Sequence, residues 1–286
     1  MTDQKEVLVT GATGGQGGAV ARRLRERGWA VRALVRDPRA ARARELAARG
    51  VRLVTGDLDD PRSLREAARG VHGVFSVQPS DLTAPDPALE IRRGRNVADA
   101  AAAAEVAHLV YSSVGAAGRN SGVIHFETKT EIEAHVRAVG IPATVLRPVF
   151  FMENWPSLVT LSPAGERVGA IALDPDTRLQ MIALEDIGRI AAHAFDRPDE
   201  HIDRTIEIAG DEPTVRQIAE TFTRVDGIPT RLRRQPLAEL RDYGDVPAMF
   251  AWLNGHGYRA DLAALRARYP DLLTFEAWLR RGRMLA

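Results

Sequence analysis

The chain has 286 residues, with 39 basic and 38 acidic side chains and a formal net charge of +1. A balance this close to neutral gives no field that gathers nucleic acid or anionic membrane, so we expect neither as a partner. The sequence has no cysteine, which excludes disulfides, thiolate catalysis and cysteine–metal sites, and its seven histidines show no metal-binding spacing. It also shows no signal-peptide pattern and no apolar run near the ~20 residues of a membrane helix. We therefore predict a soluble, cytoplasmic protein without a metal site.

Strand and helix patterns alternate through the first half of the chain. Short apolar runs predict strands, and amphipathic stretches that begin at proline or end at glycine predict helices. This alternation predicts right-handed βαβ units and a doubly wound parallel sheet, the α/β Rossmann arrangement. The predicted strands are 7–9, 30–35, 51–54, 71–77, 108–111 and 143–146, and the predicted helices are 16–27, 38–49, 61–69, 87–105 and 123–139.

Residues 6–18, EVLVTGATGGQGG, join the first predicted strand to the first predicted helix. Three glycines in this stretch are spaced three residues apart. Glycine there allows a tight turn, close approach of phosphate to the backbone, and contact between helix and strand. A helix N-terminus that follows a buried strand is a typical pyrophosphate site. We therefore predict a dinucleotide site made by Gly11, Thr13, Gly14, Gly15, Gln16 and Gly17.

The end of the second predicted strand carries Arg36, where NAD-binding proteins usually carry an acid. Arg39 and Arg42 follow on the next helical turn. Guanidinium groups pair bidentately with phosphate, so we predict binding of NADP(H) in preference to NAD(H). Two alternatives stay open. Arginine is abundant throughout this chain, and the adjacent Asp37 is placed to face the ribose instead.

Further cofactor contacts are expected where the other parallel strands end. Asp57, in TGDLDD after the third predicted strand, has two interpretations. It either contacts the adenine or caps the helix that begins at the following proline. We also assign Leu58, Gln78 and Phe150 to the cofactor site.

Lysine is rare in this sequence, because only Lys5 and Lys129 are lysines among the 39 basic residues. Such a bias is typical of a GC-rich coding background, in which tolerant lysines drift to arginine. Lys129 lies inside a predicted helix, so its retention indicates chemistry that a guanidinium group cannot perform. His125 precedes it by one helical turn and shares its face of the helix.

The regular alternation ends after residue 148. Strands are predicted at 181–183 and 205–208, and helices at 185–195, 214–225 and 275–279. We predict a Rossmann domain over 1–155 that returns at about 181–210. A small, mostly α-helical cap is predicted from 156–180 and 211–286. A set of aromatic residues either lines a flat pocket or forms the core of this cap: Phe150, Phe151, Trp155, Tyr243, Phe250 and Trp252.

Several motifs together resemble the NmrA-like family of atypical short-chain dehydrogenase/reductases. They are TGATGGQGG, LVRDP, TGDLDD, RGRNVADAA, LVYSS, HFETK and LRPVFFMENW, in order over residues 6–155. The resemblance fades across the tail. It implies a Rossmann fold, bound NADP(H), and a small C-terminal domain that roofs a cleft.

The resemblance also assigns catalytic candidates. Typical short-chain reductases use a Tyr-x-x-x-Lys pair, and the lysine matches Lys129, while His125 stands at the tyrosine position. The nearest upstream tyrosine, Tyr111, lies on the preceding strand. Ser112 or Ser113, at the end of the LVYSS strand, is a candidate second hydroxyl donor, and we assign Ser113 to the site. His125 is either a proton donor or a histidine that serves packing and hydrogen bonding.

Members of the family include NADPH-sensing regulators and reductases of quinones, dyes or phenylpropanoid double bonds. We predict an NADPH-dependent oxidoreductase that acts on a small aromatic or conjugated, quinone-like acceptor. This preference follows because quinone reduction needs mainly an accessible hydride and a flat pocket. The alternative is an NADP(H)-sensing regulator that acts on a protein partner without turnover. The chain is predicted to be a monomer or a homodimer.

Overall fold

The computed structural model describes residues 5–284. In chain order, its strands are β1 (Glu6–Val9), β2 (Ala30–Val35), β3 (Arg52–Thr55), β4 (Gly73–Ser76), β5 (His108–Ser112), β6 (Ala143–Pro148), β7 (Phe150–Phe151), β8 (Val159–Leu161), β9 (Arg167–Ile171), β10 (Met181–Ile182), β11 (Thr205–Ile208) and β12 (Thr230–Arg234). Its α-helices are α1 (Gly15–Glu26), α2 (Ala41–Ala48), α3 (Pro61–Ala68), α4 (Pro87–Ala103), α5 (Ile124–Ala138), α6 (Trp155–Leu158), α7 (Leu184–Asp196), α8 (Pro198–His201), α9 (Val215–Asp226), α10 (Val246–Gly255), α11 (Leu262–Arg268) and α12 (Phe275–Met284).

Seven parallel strands form the central sheet, in the order β11-β6-β5-β4-β1-β2-β3. The order reverses at β1, where Val7 pairs with Val31 of β2 on one side and with Gly73 of β4 on the other. Loops leaving β1 and β4 therefore diverge, and the gap between them opens at the carboxyl ends of the strands. This gap is where ligands bind in doubly wound sheets.

Both faces of the sheet are covered by helices. Val7 and Val9 face a cluster with α1 and α7, while Leu8 faces the opposite cluster with α3, α4 and α5. Burial on both sides explains the continuous apolar strands, since each Leu or Val fully removed from water stabilises the fold by about 1.5–3 kcal/mol. The predicted fold class is confirmed.

The second half adds a smaller assembly over the carboxyl edge. β8 pairs antiparallel with β9, and β12 pairs parallel with β9, so a three-stranded sheet joins the predicted helices there. This sheet was not predicted, because its strands are short and partly exposed. Trp155, Phe222 and Phe275 meet in the apolar core of the assembly, with ring centroids 5.2–6.1 Å apart. The division of the chain into two domains stays a prediction.

Other element boundaries follow local hydrogen bonding. α2 begins three residues later than predicted, because Ala40 N–H donates to the carbonyl of Asp37 and closes a turn first. α9 begins at a capping box in which Thr214 and Gln217 bond each other's backbone. In residues 5–284, every helix is too short or too polar to cross a bilayer. The cytoplasmic location stays a prediction.

Candidate active site

The glycine turn between β1 and α1 is built by its backbone. Gly11 has φ +61°, a conformation that residues with a Cβ rarely adopt, and its carbonyl accepts a hydrogen bond from Gly14 N–H at 2.9 Å. A Cβ on Gly17 would overlap the carbonyls of Gly11 and Thr10. The start of α1 is therefore pressed against the turn, and its first N–H groups are left to face a ligand.

Polar side chains lie along the gap beside this turn. The Thr10 hydroxyl donates to Val77 O at 3.0 Å and accepts from Val77 N–H at 2.9 Å, which ties the ends of β1 and β4 together. Gln16 accepts a hydrogen bond from the Ser112 hydroxyl at 2.7 Å. Gln78 is buried, and its Oε1 bonds to nothing within residues 5–284. An unpaired buried amide oxygen costs free energy unless a ligand satisfies it.

Arginines lie along the outer side of the turn. Arg36 is exposed and pairs with no acid in the described chain, whereas Arg39 pairs with Asp37 at 3.1 Å. Arg42 lies closest to the turn, since its guanidinium donates to Thr13 O at 3.4 Å. A hollow of about 770 Å³ opens here between α1 and α2, and Arg42 and Thr13 line it together with Arg22. Several arginines, and not Arg36 alone, therefore supply positive charge near the turn.

The acidic loop after β3 packs against α4, where Arg93 donates to Asp59 at 2.6 Å. Asp60 caps α3, because its side chain accepts the Arg62 N–H at 3.0 Å. The interpretation of Asp57 as that cap is therefore wrong. Asp57 is half-buried, and within the described chain its carboxylate accepts only the N–H of Asp59. The carbonyl of Leu58 accepts from Asn96 at 2.9 Å, which fixes the loop against α4.

A cavity of about 320 Å³ lies between the sheet edge, α5 and α10. Its size is at the small end of the range for ligand pockets, about 300–1,000 Å³. Lys129 is the only ionised side chain among its described lining residues. Large apolar walls come from Leu82, Phe126, Phe150, Phe151, Met249 and Tyr258. Polar groups come from Gln16, Gln78, Ser80, Ser113, His125, Lys129 and Asn154.

The Lys129 ammonium is almost fully buried and lies 2.7 Å from Oε1 of Glu90. It also lies 6.0 Å from the centroid of the Tyr111 ring. The second carboxylate oxygen of Glu90 accepts from Thr128 at 3.1 Å and from Ser80 at 3.2 Å. Further hydrogen bonds help to offset the cost of burying an ion pair, and Glu90 receives two at Oε2, while Oε1 has only the ammonium.

His125 lies one turn before Lys129 on the cavity wall. Burial and the neighbouring Lys129 charge lower the pKa of His125 to about 4, so the imidazole is neutral near pH 7. Its Nδ1 lies 3.1 Å from the Ser80 hydroxyl, and its Nε2 bonds to no described residue. The backbone N–H of His125 donates to Asp245 at 2.8 Å, which anchors this end of α5.

Ser113 is held on its other side. Its hydroxyl donates to Glu133 at 2.6 Å, and Glu133 is in turn paired bidentately with Arg147 at 2.7 and 2.8 Å. The proton of Ser113 is therefore committed to a buried carboxylate, and only its lone pairs face the cavity.

Neither nearby tyrosine replaces the missing one. Tyr111 is buried, and its hydroxyl lacks a partner within the described chain. Tyr258 reaches the cavity from the loop after α10. Burial raises the pKa of both phenols, so neither is a ready acid near neutral pH.

The model of the NmrA-like family matches residues 3–279. The chain belongs to the NmrA-like family. An NAD(P)H azoreductase from Xenophilus azovorans is 33% identical to it over 227 residues, 79% of this chain and 75% of that protein. A (4-alkanoyl-5-oxo-2,5-dihydrofuran-3-yl)methyl phosphate reductase from Streptomyces griseus is 36% identical over 229 residues, with the same two coverages.

Solved structures share the NmrA-like fold along the whole chain. An NADPH-dependent quinone oxidoreductase from Escherichia coli, complexed with NADPH, superposes with a TM-score of 0.82 at 24% identity, covering 98% of this chain and all of that one. NmrA itself, a negative transcriptional regulator solved with NADP, superposes with a TM-score of 0.82 at 21% identity, covering 98% and 95% of the two chains. At these identities the likeness shows the fold alone.

Sequence reasoning missed the partners of the NmrA-like site. Ser80 lies in an irregular loop, Glu90 reads as an ordinary acid in the first turn of a helix, and Asp245 is more than a hundred residues from His125. Among these three, only Glu90 could have been noticed in the sequence, because it is an acid on the otherwise apolar, inward face of α4.

The structure also separates the aromatic residues. Phe150 and Phe151 line the cavity. Trp155, Phe250 and Trp252 belong to the core of the smaller assembly, and Tyr243 is exposed.

Proposed function

We propose that this protein is an NADPH-dependent reductase of small, flat, conjugated acceptors of the quinone type. The observation that carries the proposal is the cavity beside Lys129, which has broad apolar walls but no group poised as an acid. Ketone reduction requires a proton at the reacting oxygen, and the usual tyrosine is missing. A quinone-like acceptor takes a hydride without an acid in the same step, because its charge spreads over the conjugated system.

The proposed cofactor residues fit a dinucleotide. Gly11, Gly14 and Gly17 leave a cradle without side chains at the start of α1, which would hold the pyrophosphate. The unpaired Gln78 Oε1 would accept from the cofactor at the sheet edge. Thr13, Gly15, Gln16, Asp57, Leu58 and Phe150 complete the proposed set. When bound, NADPH supplies the hydride.

NADP(H) is proposed in preference to NAD(H). Arg36 and Arg42 have no acidic partner in the described chain, and both lie on the side of the turn where the adenosine end is expected. Free guanidinium groups favour a 2′-phosphate through charge-assisted hydrogen bonds. Arg39 contributes less, because Asp37 already neutralises it.

Lys129 is proposed to hold the nicotinamide ribose. An ammonium has three hydrogens, and the ion pair with Glu90 fixes its position while leaving hydrogens for ligand hydroxyls. His125 would contact the acceptor through its free Nε2. Ser113 would serve as a hydrogen-bond acceptor, since its proton is held by Glu133.

The relatives support a reductase, since two proteins more than 30% identical carry reductase names. The same lack of an acid is compatible with the second candidate, an NADP(H)-sensing regulator without turnover. Its partner would be a protein rather than a small molecule.

A panel of acceptors tests the proposal. NADPH oxidation is followed by absorbance with quinones, azo dyes, enones and simple ketones. The proposal expects turnover with quinones and azo dyes and none with ketones. Tight NADP(H) binding without acceptor-dependent oxidation, accompanied by a nucleotide-dependent change in proteolysis or oligomeric state, would favour the regulator instead.

A further inference from the structure

Ser80 lies between a neutral imidazole and a carboxylate. Its hydroxyl oxygen is 3.1 Å from His125 Nδ1 and 3.2 Å from Glu90 Oε2. Both atoms are within hydrogen-bond distance, but a hydroxyl has a single hydrogen to donate. The two distances are too similar to decide which neighbour receives it.

The charge of the two neighbours decides which of them accepts the Ser80 hydrogen. Glu90 is a carboxylate, because it forms an ion pair with Lys129 at 2.7 Å, and a carboxylate only accepts. A charged acceptor outcompetes a neutral imidazole nitrogen for one hydrogen. The Ser80 hydroxyl therefore donates to Glu90, and its lone pair accepts a hydrogen from His125 Nδ1.

Neighbouring residues keep the hydrogen-bonded series Glu90–Ser80–His125 in place. Asp245 accepts the backbone N–H of His125 at 2.8 Å, and its own N–H donates to Leu82 O at 2.9 Å, two residues after Ser80. Gly244 packs against the same loop, where a Cβ would come within 2.6 Å of the Leu82 carbonyl. The backbone at His125 and the Ser80 loop are thus held by one segment.

We propose that Ser80, oriented by Glu90, fixes His125 in its Nδ1–H form, so that the bare Nε2 accepts a hydrogen bond from the ligand. Ser80 and Glu90 are positioning residues, since they act through His125. Resting on the proposed function, the inference narrows the acceptor class: the cavity favours flat, uncharged acceptors that carry an N–H or O–H donor beside the conjugated ring. The cavity offers no carboxylate within the described residues, so the bare Nε2 of His125 competes with no charged acceptor for a neutral donor.

The tautomer is measured first, in ligand-free protein at pH 7. Nitrogen-15 spectra of labelled histidine distinguish the two neutral tautomers, and the His125→Asn variant identifies the His125 signals. The wild type is expected to show the Nδ1–H form. Ser80→Ala should shift His125 toward the Nε2–H form, and Ser80→Thr should restore the wild-type spectrum.

Ser121→Ala is the matched control. It also removes a hydroxyl that donates to a carboxylate at the start of α5, that of Glu127, but it does not touch His125. Its His125 signals should equal those of the wild type. A wild-type Nε2–H form, or a spectrum that Ser80→Ala leaves unchanged, overturns the inference.

Ligand preference is measured second, in protein saturated with NADP+, which cannot reduce the probes. Binding of 2-amino-1,4-naphthoquinone and 2-methyl-1,4-naphthoquinone is followed by quenching of tryptophan fluorescence. The wild type should bind the amino compound about fivefold more tightly, the effect of one hydrogen bond. Ser80→Ala should bring the ratio close to one, and Ser80→Thr should keep it.

Failure of this inference differs from failure of the proposed function. Turnover of quinones without an amino preference overturns the role of Ser80 and leaves the reductase intact. An amino preference that disappears in Ser80→Ala supports the inference even when no acceptor is turned over. If neither quinone binds, the ligand preference is overturned.

Discussion

The glycine turn and the His125–Lys129 turn are both short stretches at the carboxyl edge of one sheet, yet they are built differently. The glycine turn depends on backbone shape within seven residues, and its polar groups are left free for a ligand. The His125–Lys129 turn depends on side chains from three distant segments, Ser80, Glu90 and Asp245. A local motif therefore reveals the first, whereas only the folded chain reveals the second.

Because the two turns are built differently, substitutions in them should have different effects. Changes at the glycine turn should act by steric overlap and affect cofactor binding. Changes at the helix turn should act through buried charge and polar order, and so affect stability and acceptor reduction, and at Lys129 the binding of the cofactor as well. Four predictions test parts of this separation, beginning with the largest effect, and a fifth tests it as a whole.

Replacing Lys129 by Met should give the largest loss. It leaves the Glu90 carboxylate buried and without its cation, which costs about 3–5 kcal/mol of the free energy of unfolding. Adding Glu90→Gln should recover a large part of that loss. Chemical denaturation measures both variants, and Arg62→Met in the exposed Arg62–Glu66 pair is the control, with an expected change of about 0–1 kcal/mol. Equal effects at the two pairs would contradict the buried-charge account.

Reversing the charge of Arg36 or Arg42 should remove the NADP(H) preference. Charge-assisted hydrogen bonds to a 2′-phosphate are worth about 1.5–3 kcal/mol, so the NADPH/NADH affinity ratio should fall by tenfold or more. Calorimetry measures both dissociation constants for Arg36→Glu and Arg42→Glu. Arg241→Glu makes the same change in net charge at an exposed, distant position and should leave the ratio unchanged. Equal affinity of the wild type for both nucleotides would rule out the preference.

The Gly17→Ala variant should weaken NADPH binding and lower stability by about 1–3 kcal/mol, the usual cost of overpacking. The added Cβ meets backbone carbonyls that no side-chain rotation can relieve. Gly255→Ala, whose Cβ would meet nothing within 4 Å, is the matched control. Thermal melts and nucleotide titrations compare the two. Normal binding in Gly17→Ala would show that the turn tolerates a side chain.

The smallest expected effect on turnover concerns pH. Because folding lowers the pKa of His125 from its ordinary 6.5 to about 4, its neutral form stabilises the folded state above pH 6.5. That contribution is lost as pH falls from 6.5 through 4. In His125→Asn the free energy of unfolding should therefore fall less steeply over this pH range. Acceptor turnover should stay level between pH 6 and 8. An inflection near 6.5 that His125→Asn abolishes would mean that the imidazole titrates in solvent.

The fold was accessible from sequence because its signals are local. Apolar runs, prolines at helix starts and the glycine spacing each sit within a few residues of what they specify. β8, β9 and β12 escaped because their three to five residues are partly exposed and carry no alternating pattern. Ser80, Glu90 and Asp245 were not predicted because their contacts with His125 and Lys129 join residues more than thirty positions apart, which no spacing encodes. Of the two interpretations of Asp57, the helix cap is wrong, because Asp60, three residues further on, caps α3.

The separation of cofactor binding from acceptor reduction is tested most directly at Met249, which lines the cavity from α10 and is not among the proposed cofactor residues. The measurement is a paired determination of the NADPH dissociation constant and of kcat/KM for a quinone. In Met249→Trp the larger ring fills the acceptor space, so kcat/KM should fall at least about tenfold while the NADPH dissociation constant changes less than about twofold. Met249→Leu conserves volume and should preserve both values. Loss of NADPH binding together with turnover in Met249→Trp, or turnover equal to the wild type, would contradict the account.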